Sequence, residues 1–342
     1  MSQGYTTDAG KLFGRQYLLQ ITDPTKPDSP TNTLDITGLD ISFNITLSKK
    51  HEPNPGEFRI YNLRDSTFRE QHTIRTGKLL TLSVGYEGLL KSSSGVEEGY
   101  RTVPAESSAP ALTDWMKTGV IFQGDIRSVD FIHEGADWCT KVECAEGSKK
   151  YYTDFVSVSR AGGSTKKQVL RAIILEAGWA TDSRISRILS LPGFEKLDEK
   201  YNQGYSFFGR ASEALTKLLS VNGYSWSFQG DELTILPKKG YVLEEMVLIT
   251  SSSGLIGSPE STSAQKIGGL LQKKGAGSKK LNKKANLVKF KSLILPTLRP
   301  GRKVELESIH YERSTVVLNK VTIDGNTWGE EWTATCEGEI IG

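Results

Sequence analysis

From Leu39 to Leu47 every second residue is apolar: Leu39, Ile41, Phe43, Ile45 and Leu47 alternate with Asp40, Ser42, Asn44 and Thr46. Successive side chains of an extended chain point to opposite sides, so this period demands a strand with one buried face. The pattern constrains everything around it, because a half-buried strand must find partners. Leu34 and Ile36 form an adjoining strand across a break at Gly38, and 15–21 reads as a strand before them. After the turn Pro53-Asn54-Pro55-Gly56, strands are expected over 57–61, 78–86 and 120–126. A hairpin joins 129–133 to 138–145, and a short helix is expected after the 57–61 strand with Ser66 as its N-cap. Short strands between many turns make 15–146 an antiparallel β unit, a barrel or a sandwich.

The texture changes at Gly147. A helix is predicted over 165–177, capped by Ser164 and ended by Gly178, with Val169, Leu170, Ile173, Ile174 and Ala177 on one face. A second helix is predicted over 207–221, with Ala211, Ala214, Leu215, Leu218 and Leu219 inward and Gly223 as its stop. A hairpin follows, 224–228 and 232–236, around Gln229-Gly230-Asp231; its Tyr224 and Trp226 are expected to pack on the helices. Beyond Gly240 strands are expected over 288–295, 302–310, 315–324 and 327–337, with Asp324-Gly325-Asn326 as a hairpin turn and 254–260 as another turn. A chain of 342 residues exceeds one ordinary core. The expected fold class is therefore mainly β with an α+β insertion: two small antiparallel β-barrels plus a helix–helix–hairpin module. The expected domains are 1–146, 147–239 and 240–342.

Charge is segregated. The chain carries 43 Lys+Arg against 40 Asp+Glu. Twelve of the cations fall between Ser261 and Val304, where there is no Asp or Glu, leaving 31 against 40 elsewhere. An acidic body with one cationic segment is a statement about partners. The segment 261–286 is glycine-dotted, and Lys273, Lys274, Lys279, Lys280, Lys283 and Lys284 are its candidate partner contacts. Single-stranded nucleic-acid sites interleave cations with stacking aromatics, and 261–289 has no aromatic residue. A protein contact is favoured over specific DNA binding. The stretch 87–118, rich in Ser, Glu, Gly and Pro, is a second excursion from the strand pattern.

Chemical sites are sparse. The carboxylate pairs Glu143/Glu146 and Glu195/Asp198 have the residue types of a glycosidase but read as solvated surface. There is no G-x-S-x-G elbow and no Gly-Lys-Ser/Thr phosphate loop after Gly254. His133 beside Glu134, and His310 near Glu312, are isolated rather than clustered as metal ligands. Cys139, Cys144 and Cys336 have no zinc spacing and read as free thiols of a reducing cytosol. No enzyme activity, cofactor or metal is expected. No apolar run is long enough for a membrane helix, and 1–11 lacks the core of a signal peptide.

Five signatures stand in one order: Phe58-Arg59-Ile60-Tyr61-Asn62-Leu63; Val84-Gly85-Tyr86-Glu87-Gly88; Ile121-Phe122-Gln123-Gly124-Asp125-Ile126; Gly254-Leu255-Ile256-Gly257-Ser258-Pro259; and Leu295-Pro296-Thr297-Leu298-Arg299-Pro300-Gly301. In this series the chain resembles the baseplate hub proteins of contractile-tailed bacteriophages and related contractile injection devices, from about 15 to 337. The resemblance implies a homotrimer whose paired barrels make a ring. That ring joins a sixfold tail tube above to a threefold spike below, and meets tape-measure and baseplate wedge proteins. DNA passes through its channel without specific binding. It implies a place in the virion tail baseplate, reached by assembly in the host cytoplasm. The excursions at 87–118 and 261–286 depart from that pattern. Two other readings remain: a binding module for protein or carbohydrate, and a cell-wall-degrading tail enzyme.

Overall fold

The computed structural model describes residues 14–25, 33–63, 74–86, 118–237, 240–242, 246–264, 285–308 and 311–341. The excursion 87–117, the cap at Ser66 and all six candidate contact lysines lie outside these residues.

Seven strands come first: β1 (Gln16–Thr22), β2 (Thr33–Ile36), β3 (Ile41–Ser48), β4 (Pro55–Tyr61), β5 (Leu79–Gly85), β6 (Gly119–Glu134) and β7 (Asp137–Ala145). Then come α1 (Ser148–Thr153), β8 (Phe155–Arg160), α2 (Lys166–Glu176), α3 (Asp182–Leu189), a 3₁₀ turn at Glu195–Asp198, β9 (Tyr205–Arg210), α4 (Ala211–Asn222) and the hairpin β10 (Tyr224–Gln229) and β11 (Glu232–Pro237). Six strands close the chain: β12 (Val247–Ile249), β13 (Leu255–Ala264), β14 (Ala285–Leu293), β15 (Lys303–Ser308), β16 (Tyr311–Asn326) and β17 (Trp332–Ile340).

The mainly β character stands, but the two barrels do not. The strands outside the central unit form one 13-stranded sheet, in the order β13-β14-β17-β16-β3-β4-β7-β6-β5-β1-β2, with β15 on β16 and β12 on β15. No sheet closes on itself among the described residues. The reason lies in β16, which is 16 residues long. Its first part pairs with β15, while Lys320–Asn326 pair with Ser42–Ser48 of β3. The C-terminal strands thus continue the N-terminal ones. Alternation in the sequence defines which face is buried but not which strand takes the outermost position. One hydrophobic core follows from the shared sheet, joining Leu19, Ile45, Phe58 and Phe122 to Val304, Val321 and Trp332.

Local differences have local causes. β2 and β3 flank Gly38 (φ 72°) but do not pair; β2 lies on β1, and β3 lies between β4 and β16. The stretches 120–126 and 129–133 are one strand, β6, with an irregularity between Ile126 and Ser128. Leu255–Glu260 is strand rather than turn; Gly257 (φ 71°) sits in the irregularity of its pairing with β14. Asp324-Gly325-Asn326 is also strand, not a turn, and the chain reverses over 327–331. Gly325 is needed there for room: a Cβ would stand 2.1 Å from the ring of Phe43. The helix expected from Phe207 starts at Ala211, because Tyr205–Arg210 pairs with β8.

The central unit has its own core, with Val169, Leu170, Ile173, Leu215, Leu219, Trp226 and Phe228. The expected inward faces of both helices are buried, except that Ala177, just past the end of α2, is only partly so. Thr165, rather than Ser164, caps α2, and Gln168 completes a reciprocal capping box. Trp226 lies between the rings of Tyr151 and Trp179, stacked at 4.9 and 5.7 Å. The β10–β11 turn places Gly230 (φ 60°) and Asp231 (φ 64°) in left-handed geometry, the pair of dihedrals a two-residue hairpin turn requires.

Candidate functional site

Segments from across the sequence meet at one buried polar junction. Asn54 stands between β3 and β4, and Glu146 ends β7; both are buried, at 1% and 0% exposure. Asn54 Nδ2 donates to Glu146 Oε2 at 2.9 Å and to the Phe228 carbonyl at 3.0 Å. Its Oδ1 accepts from the Ser48 N–H at 2.9 Å, and its carbonyl accepts from the Glu146 N–H at 2.9 Å. The Gly230 and Gln123 N–H groups donate to Glu146 Oε1 at 3.2 and 3.4 Å. Gln229 Nε2 reaches the Ser48 carbonyl at 2.9 Å, and His51 Nδ1 lies 3.0 Å from the Trp226 carbonyl. The central unit is therefore held on the sheet by directed hydrogen bonds as well as by packing.

Arg299 closes the junction from the other end of the chain. Its Nη2 donates to the Val120 carbonyl at 2.7 Å. Its guanidinium lies beside the hairpin turn, where a Cβ on Gly230 would stand 3.4 Å away. Burial pushes the Glu146 carboxyl above the usual range. Arg299, the Asn54 amide and the two backbone N–H groups pull the other way without cancelling it. Tyr86 Oη donates to the Ile294 carbonyl at 3.0 Å, tying the end of β5 to the 294–301 loop. Two of the five signature segments meet at the junction, through Gln123 and Arg299, and Tyr86 ties a third to the loop that carries Arg299.

The first signature works at the far end of the β6–β7 hairpin. Asn62 takes φ 55°, receives a bond from the Trp138 N–H and donates to Asp137. Across β4, β7 and β6 runs a row of ion pairs: Glu134 with Arg59, Arg59 with Glu57, Glu57 with Lys141, and Lys141 with Glu143. Each exposed pair is screened by solvent and contributes little alone. At its end Phe131 and Trp138 are exposed, and His133 meets the Trp138 ring edge-on at 4.7 Å.

This geometry accounts for the chemical candidates. Glu143 is held below the usual carboxylate range chiefly by its hydrogen bond from Lys141. Glu146, expected at the surface, is instead a buried structural carboxylate. No local sequence signal marks it: Pro53-Asn54-Pro55-Gly56 reads only as a turn, and the burial of Asn54 against Glu146 is set by residues distant in sequence. Glu195 accepts from the Gly193 N–H at 2.9 Å, which holds its carboxyl low, and Asp198 pairs with Lys167. Among the described residues no group of three or more His, Cys, Asp or Glu is placed to hold a metal. His310 falls outside them. Cys139, Cys144 and Cys336 are free and buried, and burial raises all three thiols. No helix among these residues is long and apolar enough to cross a membrane.

No protein-family profile matches the chain, and no curated protein matches it. Solved structures do. A 43 kDa tail protein of prophage MuSo2 from Shewanella oneidensis is 10% identical with a TM-score of 0.55, covering 94% of this chain and 98% of that one. A tail protein from Neisseria meningitidis MC58 is 9% identical with a TM-score of 0.53, covering 96% and 97%. An Escherichia coli component of the type VI secretion system, described as similar to bacteriophage T4 tail proteins, is 10% identical with a TM-score of 0.50, covering 89% and 74%. The chain has the fold of these tail and type VI secretion structures over nearly its whole length.

Proposed function

We propose that the chain is a non-catalytic structural component of a phage-type tail, acting as the hub of its baseplate. The observation that carries this reading is end-to-end correspondence with a tail protein of similar extent, covering 94% of one chain and 98% of the other. A shared fold does not by itself dictate function; the reading rests on analogy of fold, and the end-to-end extent of that fold is what supports it. The finer reading is a homotrimer that joins the sixfold tail tube above to the threefold spike below and borders the DNA exit channel. DNA passes without sequence recognition. In this reading the residues 1–146 and 240–342 are the two flanks of the sheet body and 147–239 is the unit mounted on it. The six lysines between 273 and 284 serve a protein contact, matched by the acidic remainder of the chain.

The buried junction suits a part that must keep its shape within an assembly. Its bonds join five separate segments, 48–54, 120–123, 146, 226–230 and 299, and so tie the central unit to both flanks of the sheet. Solution mass tests the trimer. Three chains of 37.7 kDa give a particle of about 113 kDa, to which a bound tube partner adds its own mass. A chain that stays monomeric at every concentration, alone and with that partner, overturns the hub reading.

A further inference from the structure

The two-stranded sheet β8–β9 is asymmetric in a way that packing does not explain. Its inner face buries Val156 and Val158 on the helices. Its outer face carries Phe155, 59% exposed, and Phe208, 81% exposed. Phe155 lies opposite Arg210, and Phe208 opposite Ser157.

The two edges differ. On β8 the Ser157 N–H points away from β9 and donates to Glu176 Oε1 at 2.7 Å. That carboxylate blocks the edge against another strand. Antiparallel pairs alternate between bonded and non-bonded, so the outward N–H of Ser157 makes Ser157–Phe208 a non-bonded pair, and likewise Ser159–Ser206. The Ser206 and Phe208 backbone groups therefore point away from β8. Both residues are exposed, and among the described residues no group bonds those backbone atoms. The β9 edge is open where the β8 edge is guarded.

Charge selects the occupant. β8 and β9 contain no acidic residue, and their charged side chains are Arg160 and Arg210. We infer that the β9 edge receives an extended segment of a partner protein as a third strand, and that this segment carries an apolar and an acidic residue two positions apart, on the face that Phe208 and Arg210 share. Ser206 and Phe208 supply main-chain bonds, Phe208 and Phe155 supply the apolar shelf, and Arg210 pairs with a carboxylate. Strand addition of this kind takes affinity from the main chain and specificity from alternate side chains. This inference is independent of the hub reading.

The test is fluorescence anisotropy of the full chain with a labelled octapeptide of two Thr-Val-Thr-Glu repeats, which puts Val and Glu on one face of a strand, against a scrambled peptide of the same composition. Ser206→Pro removes an outward N–H without touching the β8 ladder, and Phe208→Ser removes the shelf. Ser159→Pro makes the same change on the guarded edge. The expected result is saturable binding that each β9 variant weakens by about tenfold or more, while Ser159→Pro leaves it unchanged and all three melt like the parent. Absence of binding, equal binding of the scrambled peptide, or binding indifferent to Ser206→Pro and Phe208→Ser overturns the inference. A fall in solution mass on Phe208→Ser, without peptide binding, assigns the edge to a second copy of this chain and overturns it as well.

Discussion

Asn54 Nδ2 donates to Glu146 Oε2 at 2.9 Å in a site from which both side chains are excluded from water. The bond links the β3–β4 turn to the end of β7, and its other proton goes to the β10–β11 hairpin. A buried carboxylate needs such donors, since an unpaired one costs several kcal/mol.

Asn54→Ala removes two donated bonds and one accepted bond while leaving the carboxylate in place. The expected loss is about 3 kcal/mol of stability, read as a lower denaturant midpoint. A loss below about 1 kcal/mol would mean that water enters and replaces the amide.

Glu146 gives a pH dependence of definite sign. Its folded pKa is raised, so the folded state holds the proton over a window where the unfolded state has released it. The contribution of Glu146 is fully favourable below the ordinary glutamate value of about 4.3 and declines as pH rises through the folded value. Stability of the parent relative to Glu146→Gln should therefore fall as pH rises from about 4 toward neutrality. A difference that grows in the parent's favour over this range would show that Arg299 and Asn54 outweigh burial.

Much of this was legible in the chain. The period-two run at Leu39–Leu47 predicts a strand, and Ile41, Phe43, Ile45 and Leu47 are all buried. Helical spacing finds the inward faces of α2 and α4 for the same reason. What fails is what needs a partner to define it. Phe207 looks helical until Val158 pairs with it. Asp324-Gly325-Asn326 has turn composition, but its glycine is explained by the ring of Phe43 on the neighbouring strand. The expected barrels are absent because pairings between residues hundreds of positions apart, such as Ile45 with Ile323, join the two halves in one sheet instead. Glu146 looked solvated because its donors come from residues 54, 123 and 230.

Gly325→Ala tests the account of that glycine. The added methyl meets the Phe43 ring, so a loss of about 1–3 kcal/mol is expected from overpacking. Phe43→Leu in the same chain should recover part of it, because the two positions are in contact. Purely additive losses would place the cost in the backbone instead.

Capping gives a smaller, cleaner measurement. Thr165 Oγ1 accepts from the Gln168 N–H at 3.2 Å, and Gln168 Oε1 accepts from the Thr165 N–H at 2.9 Å. Thr165→Ala should cost about 1 kcal/mol, while Ser164→Ala should stay within about 0.5 kcal/mol. Thermal melts of the two variants separate the caps; equal effects would contradict the assignment to Thr165.

The most direct measurement of the central claim is an electron cryo-microscopy map of the assembled tail particle that contains this chain. The account predicts three copies in a ring between tube and spike, each fitting as one continuous sheet with the 147–239 unit mounted on it through the Asn54–Glu146 junction. A particle whose baseplate lacks the chain, or holds it outside that ring, would contradict the account.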